Sequence, residues 1–153
     1  MVMEIERKFL VDRDMWKPCG EGTRIAQGYL CTEADRTVRV RVKGAYGYLT
    51  VKGRNEGISR QEFEYEIPIE DAEAMLGMCK PTIIEKVRYH ESLGAHLWEI
   101  DVFSGENDGL VLAEIELQHE DESFERPEWL GEEVSMDHRY YNSSLSNKPY
   151  RKW

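Results

Sequence analysis

Carboxylates and bases recur at every second residue along much of this chain, and each run carries essentially one sign. Glu4, Glu6 and Lys8 alternate with Ile5, Phe9 and Val11, and Arg39, Arg41 and Lys43 with Val38, Val40 and Val42. Glu62, Glu64 and Glu66 interleave with Phe63, Tyr65 and Ile67. Lys52, Lys86 with Arg88, Glu99 with Asp101, and Glu114 with Glu116 continue the pattern. A two-residue spacing puts such groups on one face of a β-strand, about 7 Å apart. Like charges at that distance repel by roughly 2 kcal/mol at an effective dielectric of 20. Two readings follow: a sheet whose charged face is bathed in solvent, or a closed barrel with a charged lumen and its apolar phase turned outward. Signs segregated strand by strand, without the usual scatter of Thr, Ser and Gln, favour the lumen. Carboxylate clusters then need cations and base clusters need anions, and a polyphosphate with a divalent metal satisfies both. Carboxylate oxygens suit Mg²⁺ or Mn²⁺, Arg offers phosphate a fork and Lys a point charge. The chemistry is that of a phosphoanhydride.

The period-two pattern predicts eight strands near residues 3–12, 23–32, 35–43, 46–54, 58–67, 81–91, 95–104 and 109–118. Short connections between most of them, such as Gly44-Ala45 and Ser92 to Gly94, predict antiparallel hairpins. Ala72, Met75, Leu76 and Cys79 fall at helical spacing and predict a short amphipathic helix over Asp71–Cys79. Beyond residue 118 the alternation stops. There Pro127 can open a helical turn through Trp129-Leu130, and Asp137 can cap a helix over His138–Leu145. The expected fold is all-β dominated: an eight-stranded antiparallel closed barrel with two or three outer helices, in one domain spanning residues 1–153.

At 153 residues the chain is long enough to bury a substantial core without disulfides. Its formal net charge of −10 disfavours a long contact with a nucleic-acid backbone or an anionic bilayer, so the expected partner is a small molecule. Three cysteines without a C-x-x-C pair, and no secretory leader before Glu4, point to a reducing cytoplasm.

Glu4-Ile5-Glu6-Arg7-Lys8 is an E-x-E-x-K motif, and the chain resembles the triphosphate tunnel metalloenzymes of the CYTH superfamily. Arg39-Val40-Arg41, Lys52, Glu62-Phe63-Glu64, Lys86-Val87-Arg88, Asp101, Glu114-Ile115-Glu116 and Asp137-His138-Arg139-Tyr140 follow in the family's order over nearly the whole length. The resemblance implies a metal-dependent hydrolase that converts inorganic triphosphate to pyrophosphate and orthophosphate. It implies metal ligands at Glu4, Glu6 and Glu116, and a phosphate clamp of Lys8, Arg39, Arg41, Lys52, Lys86 and Arg88, with Arg139 from the carboxy-terminal segment. Glu62, Glu64, Asp101 and Glu114 would orient the bases, hold a second metal or position the attacking water; these roles stay undivided. Rival readings are a nucleoside- or thiamine-triphosphatase, a class IV adenylate cyclase, and a non-catalytic polyphosphate-binding module.

Other signals are weaker. His90, His96, His119 and His138 lack zinc spacing, and Lys43 to Gly47 lacks the end of a Walker loop. Trp16, Trp98, Trp129 and Trp153 read as packing residues under the helices, and Tyr29 either reaches phosphate or makes a structural hydrogen bond.

Overall fold

A computed structural model describes residues 3–153. Among these residues nine strands form: β1 (Met3–Val11), β2 (Thr23–Glu33), β3 (Arg36–Lys43), β4 (Tyr46–Gly53), β5 (Ser59–Ile67), β6 (Lys80–Leu93), β7 (His96–Phe103), β8 (Val111–Glu116) and β9 (Leu130–Glu133). Two α-helices, α1 (Ile69–Leu76) and α2 (Asn142–Asn147), accompany them. The sheet order is β5-β4-β3-β2-β6-β7-β8-β1, all antiparallel, and β5 returns to pair with β1. An eight-stranded closed barrel results. Closure pairs each of these strands on both sides over at least part of its length and gives every one an inner and an outer face. The eight expected strands stand within about two residues of their expected bounds.

Closure is staggered. β1 gives Met3, Glu4 and Ile5 to β5, then offers Phe9 and Val11 to β9 once β5 has ended. This ninth strand corrects the helical turn expected at Pro127. Leu130 N–H does bond Pro127 C=O at 3.1 Å, but the chain then extends along the free stretch of β1, where ladder hydrogen bonds outweigh one helical turn. Asp137 caps as expected, accepting from Arg139 N–H at 3.1 Å, but the segment it opens is a single 3₁₀ turn, His138–Tyr140. Extended Tyr141 then separates that turn from α2.

The outer apolar phase packs in two ways. On β3 and β4 it is covered by α1, which starts at Ile69, two residues before the expected Asp71. Gly47 allows this approach: a Cβ there would lie 2.6 Å from the Ala72 Cβ. Around β1, β7 and β8 the cover is irregular chain and not the helices expected. Trp16, Phe124 and Trp129 from connecting segments close over Phe9, Trp98, Ile100 and Ile115. The Trp98 ring meets Trp129 edge-on at 5.5 Å and Phe9 at 5.7 Å, an aromatic arrangement that adds specificity to the burial. Trp153 is instead 39% exposed.

The inner face is not charged throughout. Two residues beyond Lys86, Asp101 and Glu114 on their own strands come Ile84, Phe103 and Leu112, which pack with Tyr29, Tyr140 and Leu145 into a second apolar cluster. This cluster forms a floor under part of the lumen.

Candidate active site

Above that floor, strand parity brings most of the expected strand-borne charges to the walls of two adjoining cavities. A cavity of about 230 Å³ is lined by Glu4, Glu6, Arg39, Arg41, Lys52, Glu62, Glu64, Arg88, Glu114 and Glu116. A second cavity of about 60 Å³ shares Glu4, Glu6, Arg39 and Lys52 and adds Lys8 and Tyr29. Lys86 and Asp101 lie just behind these walls, at 2% exposure each. The solvated-face reading fails on this point: Lys8, Arg39, Arg41, Lys86 and Arg88 are all buried.

Register explains the pairing. Lys52 lies opposite Glu62 on β5, and its Nζ reaches Glu62 at 3.3 Å and Glu4 at 2.9 Å across the closure. Arg88 lies opposite Asp101, and the two form a fork, 2.8 Å from Nε and 2.9 Å from Nη2. Lys86 Nζ adds a contact to the same carboxylate at 2.7 Å. Asp101 thus has both oxygens committed to cations. Arg39 is 3.4 Å from Glu64, and the Thr50 hydroxyl bridges them, donating to Glu64 at 3.0 Å and accepting from Arg39 at 3.1 Å. Lys8 Nζ stands 3.9 Å from Glu114 and donates to Tyr140 C=O at 3.0 Å.

These contacts set the protonation states. Burial works against the Asp101 charge, but Lys86 and Arg88 overcome it and hold the carboxyl below the usual range. Glu114 behaves alike: burial is outweighed by Lys8 and by a hydrogen bond from Glu6, and its pKa falls to about 2. Glu6 goes the other way, pushed well up by burial and by the negative charges of Glu114 and Glu4. Glu116 is raised by burial and by Glu4 and Glu99. Glu6 is therefore the lumen carboxyl most ready to hold a proton. Among the bases, burial with Arg39 and Arg88 nearby lowers Arg41 to about 9. Burial with Arg88 and Arg41 lowers Lys86 to about 7 in spite of Asp101. Crowded cations that resist their own charge are a receptor for a multivalent anion. Consistent with this, Arg39 Nε and Gln27 Nε2 are buried with no hydrogen-bond partner among the described residues.

Arg139 is not brought to this space. Its guanidinium is exposed, bonded to Asp137 at 2.7 Å and packed 4.8 Å from the Trp153 ring centroid on the outer surface. Four further residues line or brace the lumen. Gln27 accepts from Arg41 Nε at 2.7 Å, Thr50 bridges Arg39 and Glu64, and Asn142 lines both cavities. Arg60 lines the smaller one. Gln27, Thr50 and Arg60 hold lumen parity on their strands, so the phase that revealed their charged neighbours also points to them. Asn142 sits at the start of α2, where no periodicity marks it.

A barrel closed around opposed carboxylates and bases defines the CYTH class of protein. The chain matches the CYTH domain model over residues 3–149 and belongs to that family. It is 49% identical to an inorganic triphosphatase of Acetivibrio thermocellus over 152 residues, 99% of this chain and 97% of that one. It is 40% identical to an inorganic triphosphatase of Nitrosomonas europaea, over 94% of this chain and 96% of that one. A crystal structure of an inorganic triphosphatase superposes with a TM-score of 0.67 at 37% identity, covering 95% of both chains.

Proposed function

We propose that this chain hydrolyses inorganic triphosphate to pyrophosphate and orthophosphate, with Mg²⁺ or Mn²⁺ as cofactor. The carrying observation is the lumen itself, where Lys8, Arg39, Arg41, Lys52 and Arg88 line two adjoining cavities that also present carboxylates, with buried Lys86 behind them. The likeness to two relatives named inorganic triphosphatase supports the same substrate.

The donor set suits a hard divalent cation, because Glu4, Glu6 and Glu116 offer only oxygen and line one cavity, and burial together with the charges of Glu114 and Glu4 raises Glu6. Among the described residues no three such groups already stand close enough to cage an ion. Glu4 leans on Lys52 instead, and it would have to exchange that contact for the metal. When bound, the cation would neutralise phosphate oxygens and polarise the reacting phosphorus.

The chain's own residues do the remainder. Lys8, Arg39, Arg41, Lys52 and Arg88 grip the non-bridging oxygens and hold the anion straight, and Lys86 adds its charge from behind the wall, on Asp101. Water adds to the terminal phosphorus, the bridging P–O bond breaks, and its electron pair leaves with pyrophosphate; one proton of the water stays on the orthophosphate and the other passes to the pyrophosphate oxygen. Asp101, both oxygens occupied, keeps Lys86 and Arg88 aimed, while Glu64 through Thr50 does so for Arg39 and Glu62 for Lys52. Glu114 stays ionised beside Lys8, which leaves it as the carboxylate to orient the water. A cytoplasmic setting agrees with three free thiols, Cys19, Cys31 and Cys79. No described helix is long and apolar enough to cross a membrane.

The test is phosphate release from tripolyphosphate, pyrophosphate, ATP and thiamine triphosphate in parallel, with Mg²⁺, with Mn²⁺ and with chelator. Rapid, metal-dependent release from tripolyphosphate alone is expected. Tight binding of tripolyphosphate without release would make the chain a binding module.

A further inference from the structure

The two lumen cavities meet at Glu4, Glu6, Arg39, Lys52 and Asn142, and beyond that junction each has cations of its own. The wide one adds Arg41, Lys43 and Arg88, and the narrow one adds Lys8 and Arg60. Positive charge is thereby strung out in three zones, one of them ending on Arg60. Arg60 lies opposite Glu4 in the β1–β5 ladder and shares the lumen parity of Glu62 and Glu64. Its Nε and Nη2 donate to Gly53 C=O at 3.2 and 3.0 Å, which fixes the guanidinium plane by backbone and leaves Nη1 uncommitted. Among the described residues it has no carboxylate within ion-pair distance, unlike Lys8, Arg39, Lys52, Lys86 and Arg88. An arginine held rigid and left unpaired in a chain of net charge −10 is a preformed anion receptor.

The size of the narrow cavity limits what reaches it. At about 60 Å³ against about 230 Å³ for the wide cavity, it suits one phosphoryl group better than a nucleoside. We infer that Arg60 binds the outermost, unesterified phosphoryl group of a triphosphate at the narrow end of the lumen and so measures the length of the chain, favouring three phosphoryl groups over two. This deepens the proposed function and rests on it for the identity of the anion. Pyrophosphate spans two zones, the junction and the wide cavity, and has no group left for Arg60.

The experiment is titration calorimetry of the full chain and Arg60→Gln with tripolyphosphate and with pyrophosphate, alongside turnover of tripolyphosphate. Arg60→Gln should weaken tripolyphosphate binding about tenfold and raise KM alike, with pyrophosphate affinity changed less than twofold. Arg60→Lys should recover part of the loss, which separates lost charge from a disturbed β4–β5 connection; thermal melting checks folding. Equal loss for both anions, or no loss for either, overturns the assignment. If the parent binds tripolyphosphate without hydrolysing it, the hydrolase reading fails, and the binding ratio still decides the role of Arg60.

Discussion

Glu6 and Glu116 stand directly opposite each other in the β1–β8 ladder, both on the lumen wall. Opposed residues of an antiparallel pair bring their Cβ atoms to within about 5.5 Å, where two carboxylates repel unless a cation or a proton lies between them. The first and last barrel strands thus supply the pair expected to hold the metal. Glu6→Gln removes one ligand charge while keeping shape. It should raise the metal concentration for half-maximal rate by about 10–100-fold, with partial recovery at saturating metal and an unchanged circular dichroism spectrum.

Arg39→Ala should fail differently. It deletes a buried guanidinium and strands Thr50 and Glu64, whose contacts it completes. The loss in kcat/KM should be on the order of 100-fold or more, and no metal concentration should restore it. Steady-state kinetics across a metal titration separates the two defects. Near-parental activity in both variants would remove these residues from the site.

Lys86 gives the lumen a pH dependence. Its pKa is lowered to about 7, because burial and two neighbouring guanidiniums disfavour its charge in spite of Asp101, and in the proposed clamp that charge acts through the Asp101–Arg88 pair it completes. Below pH 7 the clamp is complete; above it, each binding event must first take up a proton. KM for tripolyphosphate at saturating metal should therefore climb by up to about tenfold per pH unit above 7. Lys86→Gln should show a higher KM that lacks this rise. A parental profile flat from pH 7 to 9 would contradict the lowered Lys86 value.

The barrel and its charged wall were legible because period-two alternation is a backbone property, and closure preserves it on every strand. Glu4, Glu6, Arg39, Arg41, Glu62 and Glu114 reached the lumen on parity alone. What escaped detection depends on geometry between strands. β9 exists because pairing with β5 does not extend past Ile5 and leaves Phe9 and Val11 free on that side of β1, which Leu130–Glu133 alone does not announce. The apolar floor at Phe103 and Leu112 shares the phase of Asp101 and Glu114, so only the register reveals where charge gives way to packing. Arg139 carries a motif but no strand parity, and the 3₁₀ turn that holds it points its side chain toward Asp137 and Trp153.

Gly47 tests how far the outer layer is independent of the lumen. A methyl group there would meet Ala72 Cβ at 2.6 Å and Ile67 C=O at 3.2 Å, both backbone-fixed, so α1 must shift. Gly47→Ala should cost about 1–3 kcal/mol in urea unfolding while kcat stays near parental. An unchanged midpoint would mean that α1 is loosely seated.

Asp101 is the residue on which stability and site geometry converge. Its carboxylate faces Lys86 and Arg88 at 2.7–2.9 Å, and removing it leaves buried Lys86 without its ion-pair partner and Arg88 with only its 3.3 Å contact to Glu99. Asp101→Asn should destabilise the fold by about 3–5 kcal/mol at pH 7. The sign with pH follows from linkage. The folded pKa lies below the ordinary 3.8, so the contribution of Asp101 is complete above that value and fades as pH falls toward the folded one. Parent and variant should thus differ fully from pH 7 down to about 5 and converge below about pH 4, where the parental carboxyl protonates in the unfolded state and then in the folded state. Chemical denaturation of both proteins between pH 7 and pH 2.5 measures this. A gap that persists undiminished to the lowest pH would show that Asp101 stabilises by packing and not by its charge.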